Sequence, residues 1–109
     1  LICMEEGWWD RAVTPAKRMV ELEPDDLSYM SLGQVYGGKG MFTDSIESFK
    51  KALELNPNNI GAHEFLGAAY VETGQIEKAK EEYEKLKKLD WLAAARLLNS
   101  IKSGKVDNK

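Results

Sequence analysis

Two stretches of the chain repeat one pattern: MVELEPDDLSYMSLGQVY from Met19 to Tyr36, and ALELNPNNIGAHEFLGAAY from Ala52 to Tyr70. In the first, Tyr29, Leu32, Gly33 and Tyr36 fall at i, i+3, i+4 and i+7, which is one face of a helix. His63, Leu66, Gly67 and Tyr70 repeat that stripe. The punctuation recurs as well. Pro24 and Pro57 stand 33 residues apart, and Gly7, Gly40 and Gly74 follow one another by 33 and then 34. A period of this length predicts stacked units, each of which hides its apolar face against the next.

Every unit carries a second helical stripe. Ser45, Phe49, Ala52 and Leu53 form one, echoed by Ala79, Tyr83, Leu86 and the stem of Lys87. Asp26 and Asn59 stand where they would cap the first helices, and Thr43 where it would cap the second helix of the middle unit. Pro57 ends that helix and holds Asn56 extended. No alternating β-branched run occurs, so the fold class is all-α. Glycine inside a helix costs about 1 kcal/mol relative to alanine. Gly33 and Gly67 at equivalent positions therefore predict close helix packing, with Ala52 and Ala79 opposite and Tyr36 and Tyr70 filling the remaining space.

These residues resemble the tetratricopeptide repeat, whose pattern is W-x2-L-G-x2-Y, A-x3-F and P at a period of about 34. Residues 26–59 read Tyr29-x2-Leu32-Gly33-x2-Tyr36, Ser45-x3-Phe49 and Pro57. Residues 60–91 read His63-x2-Leu66-Gly67-x2-Tyr70 and Ala79-x3-Tyr83, with Trp91 in the place of the proline. Residues 1–25 match only in part, through Gly7, Ala12, Ala16 and Pro24, and keep mostly the second helix of a repeat. Pro15 falls inside that helix and predicts a kink, or a late start with Thr14 as cap and Pro15 in the first turn. Residues 92–104 carry an apolar stripe of Ala94, Leu97, Leu98 and Ile101, with Arg96, Asn99, Ser100 and Lys102 facing away, like the helix that closes such arrays. Gly104 is read as its stop and residues 105–109 as a loose tail. The resemblance implies an α-solenoid of antiparallel helix pairs, stacked in a right-handed superhelix and closed by a capping helix. Nine residues separate Pro24 from Gly33 and ten separate Pro57 from Gly67, so the two joints are expected to differ in angle.

Composition narrows the function. A chain of 109 residues suits one domain. Its net charge of −3 lacks the concentrated basic face that nucleic acid requires. No apolar run reaches the roughly 20 residues that span a bilayer, so membrane insertion is not expected. One cysteine, Cys3, excludes an intrachain disulfide and points to a reducing, cytoplasmic setting. The chain opens on Leu1 rather than methionine, with no basic-then-apolar leader.

No motif specifies catalysis, a cofactor or a metal. His63 sits on a core stripe where the repeat places a large ring, which reads as packing. Cys3 aligns with Tyr36 and Tyr70, has no base placed beside it, and makes no metal-binding spacing with His63. The run Gly37-Gly38-Lys39-Gly40 follows a helix, which suits a helix-to-helix turn rather than a phosphate cradle. In IEKAKEEYEKLKKLD, Glu81 with Lys85 and Glu84 with Lys88 are expected as i, i+4 pairs on a solvated face. A non-enzymatic role follows.

Similarity to the family implies a scaffold that binds a partner's peptide or helix in a concave groove lined by the first helices. Leu27, Met30, Gln34, Gly37, Gly61, Glu64, Ala68, Val71 and Glu72 are the candidate lining. That set is mostly apolar and slightly acidic, which fits an apolar, basic ligand. It holds no lysine, arginine or asparagine, so an acidic C-terminal chaperone tail is not expected there. The alternative is self-association as a homodimer. The leading half repeat would leave Leu1, Ile2, Trp8 and Trp9 on an open edge, to be covered by upstream residues or by a second copy. Trp9 aligns with Phe42 and Ile76 and reads as packed, whereas Trp8 aligns with Met41 and Gln75 and reads as an exposed contact. A regulatory piece of a larger repeat protein is a further alternative.

Overall fold

The structure is a computed structural model that describes residues 6–103, with side chains from Arg11 onward. The edge contacts expected of Leu1, Ile2, Trp8 and Trp9, and the stop expected at Gly104, lie outside the described residues and side chains. Six helices and no strand occupy the described residues. They are α1 (Glu6–Leu22), α2 (Asp26–Lys39), α3 (Phe42–Leu55), α4 (Ile60–Glu72), α5 (Ile76–Leu89) and α6 (Trp91–Ser103). Length alone predicts one domain, yet the chain divides between Pro57 and Asn58 into two compact units. In the first, α2 packs with α1 and α3; in the second, α4, α5 and α6 all touch one another.

The turns inside the pairs repeat closely. Gly40 and Gly74 take left-handed φ values of 84° and 77°. The Gly40 N–H donates to the Gly37 carbonyl and the Met41 N–H to the Tyr36 carbonyl; Gly74 with Val71 and Gln75 with Tyr70 do the same. This is the double hydrogen bond that closes a helix on glycine. It leaves α3 to start at Phe42, with Met41 as N-cap and no side-chain cap bond, so Thr43 does not cap. Asn59 caps α4 as expected, its Oδ1 accepting from the Ala62 N–H at 3.0 Å. The cap of α2 is Asp25 rather than Asp26, with Oδ1 accepting from the Ser28 N–H at 2.8 Å. That bond, helped by the Ser28 hydroxyl, holds the Asp25 carboxyl below the usual carboxylate range. Asp26 instead accepts from Asn56 Nδ2 at 3.1 Å, tying both ends of the hairpin together.

Two further expectations are corrected. Of the two alternatives at Pro15 the late start at Thr14 is overturned: α1 begins at Glu6 and continues as one helix past Pro15. Pro15 and Arg11, whose carbonyl loses its partner there, are both exposed, so water can serve that carbonyl. Helix α6 begins at Trp91, one residue before the expected cap, because Asp90 Oδ1 accepts from the Leu92 and Ala93 N–H groups at 3.0 and 3.4 Å. Asn56, by contrast, is extended ahead of Pro57 as predicted.

Close approach through glycine organises both cores. A Cβ on Gly33 would lie 2.7 Å from the Phe49 ring, and a Cβ on Gly67 would lie 2.5 Å from Leu97. In the first unit the ring comes from the helix's own hairpin partner, α3. In the second the nearest side chain is on α6, which makes that helix part of the core: Leu86, Ala93, Ala94 and Leu97 are buried together, with Ile60, Tyr83 and Ile101 around them. Ser45, standing where the pattern has alanine, is buried and donates to the Gly33 carbonyl at 2.8 Å.

Gly67→Ala tests the seam. Alanine gains about 1 kcal/mol of helix propensity, but forcing a methyl against a closed side chain typically costs 1–3 kcal/mol. We expect net destabilisation in urea unfolding, relieved when Leu97→Val is added. A more stable single variant would contradict the close packing.

Candidate functional site

The surface of α2 and of α4, the first helices of the two full repeats, is the candidate. Its geometry follows from which faces the cores consume. In α2, the core side holds Ser28, Leu32 and Gly33, all buried. Leu27 stays 58% exposed, Gln34 is exposed, and Met30 and Gly37 are half-buried. In α4, buried residues are more numerous and include Val71 at 3% exposure. Val71 is therefore a correction: expected on the partner-facing side, it belongs to the buried set. Gly61, Glu64 and Ala68 are half-buried, and Glu72 is exposed.

Glu64 changes role too. The sequence left its carboxylate free for a basic partner, but Arg96 of α6 already holds it: Nε donates to Oε2 at 2.7 Å and Nη2 to Oε1 at 3.0 Å. This bidentate fork raises the guanidinium's pKa above its ordinary value, the hydrogen bond contributing more than the charge attraction. Arg96, Asn99 and Ser100 were expected to face away. Instead they border a cleft of about 360 Å³ between α4 and α6, shared with Glu64, Phe65, Ala68 and Leu97. The available signal was the spacing. Glu64 and Arg96 lie 32 residues apart, close to one period, which sets them at similar turns of α4 and α6.

Behind this face lies a buried polar pair. His63 Nδ1 and Glu82 Oε1 are 2.6 Å apart, with the residues 5% and 4% exposed. Glu82 Oε2 also accepts from Lys85 Nζ at 3.3 Å. His63 is thus a core residue, as read. Glu82 was missed, although its place between Ala79 and Leu86 on a helical stripe marks it as inward-facing. On α5 the ion pairs form at i, i+3, Lys85 with Glu82 and Lys87 with Glu84, rather than as the expected i, i+4 pairs Glu81–Lys85 and Glu84–Lys88. Both spacings share a helix face, and for Lys85 the buried carboxylate is the stronger attractor. Among the described residues no group of three His, Cys, Asp or Glu side chains is placed to hold a metal, and no helix is long and apolar enough to cross a membrane.

The pair makes a coupled prediction. His63→Phe leaves the buried Glu82 carboxylate short of a partner, a loss of about 1–3 kcal/mol. Adding Glu82→Leu removes the orphan and should recover most of it. Urea unfolding of the two single variants and the double variant checks this, and simple additivity would contradict the coupling.

Comparison with known proteins agrees with the repeat geometry. Two family models, both described as tetratricopeptide repeat, match residues 27–59 and 48–81. The chain is 34% identical to the BBSome complex member BBS4 of Bos taurus over 67% of this chain and 14% of that protein. It is 41% identical to a TPR repeat-containing protein of Methanocaldococcus jannaschii over 53% of this chain and 17% of the other. With Superkiller complex protein 3 of Homo sapiens it shares 29% identity over 88% of this chain and 6% of that protein. The chain thus spans less than a fifth of the length of each of these relatives. Matched over residues 27–81 by two overlapping models of one repeat, the chain belongs to the tetratricopeptide repeat family, whose repeats are protein-interaction modules.

Proposed function

We propose that the chain is a protein-interaction scaffold in which α2 and α4 offer the faces that their cores leave uncovered to a partner's peptide or helix. The observation that carries this reading is the chemistry left at the surface. Leu27, Met30 and Gln34 on α2, and Gly61, Ala68 and Glu72 on α4, are spared by the cores. Helix α4 bears no lysine or arginine, and α2 bears one, Lys39, in its last turn. Methionine beside leucine accepts apolar side chains of varied shape. Surfaces of this kind suit an apolar ligand with basic neighbours. They do not suit an acidic tail, since the one guanidinium lining the cleft beside α4, that of Arg96, is taken by Glu64.

Affinity capture with the full-length protein from its native source, followed by titration of the captured partner, tests the reading. Met30→Glu and Ala68→Glu should each weaken binding by roughly tenfold or more, equal to about 1.4 kcal/mol, while the helical circular-dichroism signal stays unchanged. Undiminished affinity in both variants would overturn it.

A further inference from the structure

The cleft between α4 and α6 has a composition that goes beyond a general apolar surface. Phe65, Ala68 and Leu97 give it apolar lining, Asn99 and Ser100 add an amide and a hydroxyl, and the Glu64–Arg96 pair completes the lining. That pair is self-neutralising, so it offers an incoming segment no net charge. One turn beyond Ala68 on the same face of α4 stands Glu72, exposed and with no ion pair found for it among the described residues. The cleft thus has an apolar lining and a neutral pair within it, while the Glu72 carboxylate stands outside that lining, one helical turn past Ala68. At about 360 Å³ it has room for one or two side chains rather than a whole helix.

We propose that the second unit by itself recognises an amphipathic helix that inserts one large apolar side chain between Ala68, Phe65 and Leu97 and sets a lysine or arginine, four residues later, against Glu72. The inference rests on the scaffold reading and narrows it to a partner chemistry and to one unit. A spacing of four residues along a helix advances about 6 Å, the same advance that separates Ala68 from Glu72 on α4. Asn99 and Ser100 then meet the polar flank of the bound helix, and α6 serves as half of a recognition site as well as a cover for the core. Helix-in-groove binding by spaced anchors is an established mode of peptide recognition. The charge order fixes which end of the bound helix meets Glu72.

The probes are synthetic helical peptides of identical sequence with Leu-x-x-x-Lys, Leu-x-x-x-Glu or Ala-x-x-x-Lys at the centre, titrated into the isotope-labelled full chain by NMR. The account predicts amide shifts on Phe65, Ala68, Asn99 and Ser100. It also predicts at least tenfold tighter binding of the Leu/Lys peptide than of either other peptide. Glu72→Gln should abolish the preference for Lys over Glu, and Asn99→Ala should weaken all binding. Both residues are exposed, so the folded unit is retained. Equal binding of the Lys and Glu peptides would overturn the proposal, as would no binding at all. Shifts confined to Leu27, Met30 and Gln34 would overturn it too, while leaving the scaffold reading standing.

Discussion

The absence of two side chains governs this structure. Gly33 and Gly67 let Phe49 and Leu97 come so near that any Cβ would overlap them. A helix whose core face is consumed at such short range has its orientation set, and its remaining faces are set with it. The residues displayed at the surface of α2 and α4 are thus a consequence of where the glycines stand. A pair of helices in this family can vary its displayed side chains without disturbing the seam that holds it, which is how one scaffold serves many partners.

Equivalent positions are nonetheless used differently. Tyr29 and Ser48 of the first unit correspond by spacing to His63 and Glu82 of the second. Tyr29 and Ser48 border a shallow cleft with Glu47, Lys50, Lys51 and Glu54, whereas His63 and Glu82 form a buried hydrogen-bonded pair. Gly33 receives a ring from its own hairpin, and Gly67 receives a leucine from α6. The second unit consequently buries more of its first helix, including Val71, and exposes less for binding. Its cleft is built with α6 rather than from one hairpin alone.

Most of the fold was legible because period, glycine position and proline position are local properties that repeat. The stripes of α2 and α4, the Asn59 cap and the extended Asn56 all follow from neighbours within a few residues. The misreadings have physical causes of the same short range. Asp25 and Asp26 are adjacent and chemically identical, so composition cannot choose between them; the one preceding the first helical residue caps. Thr43 lost its role because the glycine closure at Gly40 carries the chain straight into α3. Pro15 is tolerated on an exposed stretch of α1, where water can reach the carbonyl it deprives. What was not legible depended on the third dimension. Sequence places α6 as a lid with Arg96 outward, but its packing against α4 brings Arg96 onto Glu64 and makes Asn99 and Ser100 part of the candidate site.

The central claim is that recognition lies on α2, α4 and the facing side of α6, while α3 and α5 support them. Hydrogen–deuterium exchange of the full-length protein, with and without its captured partner, tests this most directly. The account predicts added protection of α2, α4 and α6 in the complex, with α3 and α5 unchanged. Protection concentrated on the outer faces of α3 and α5 would contradict it.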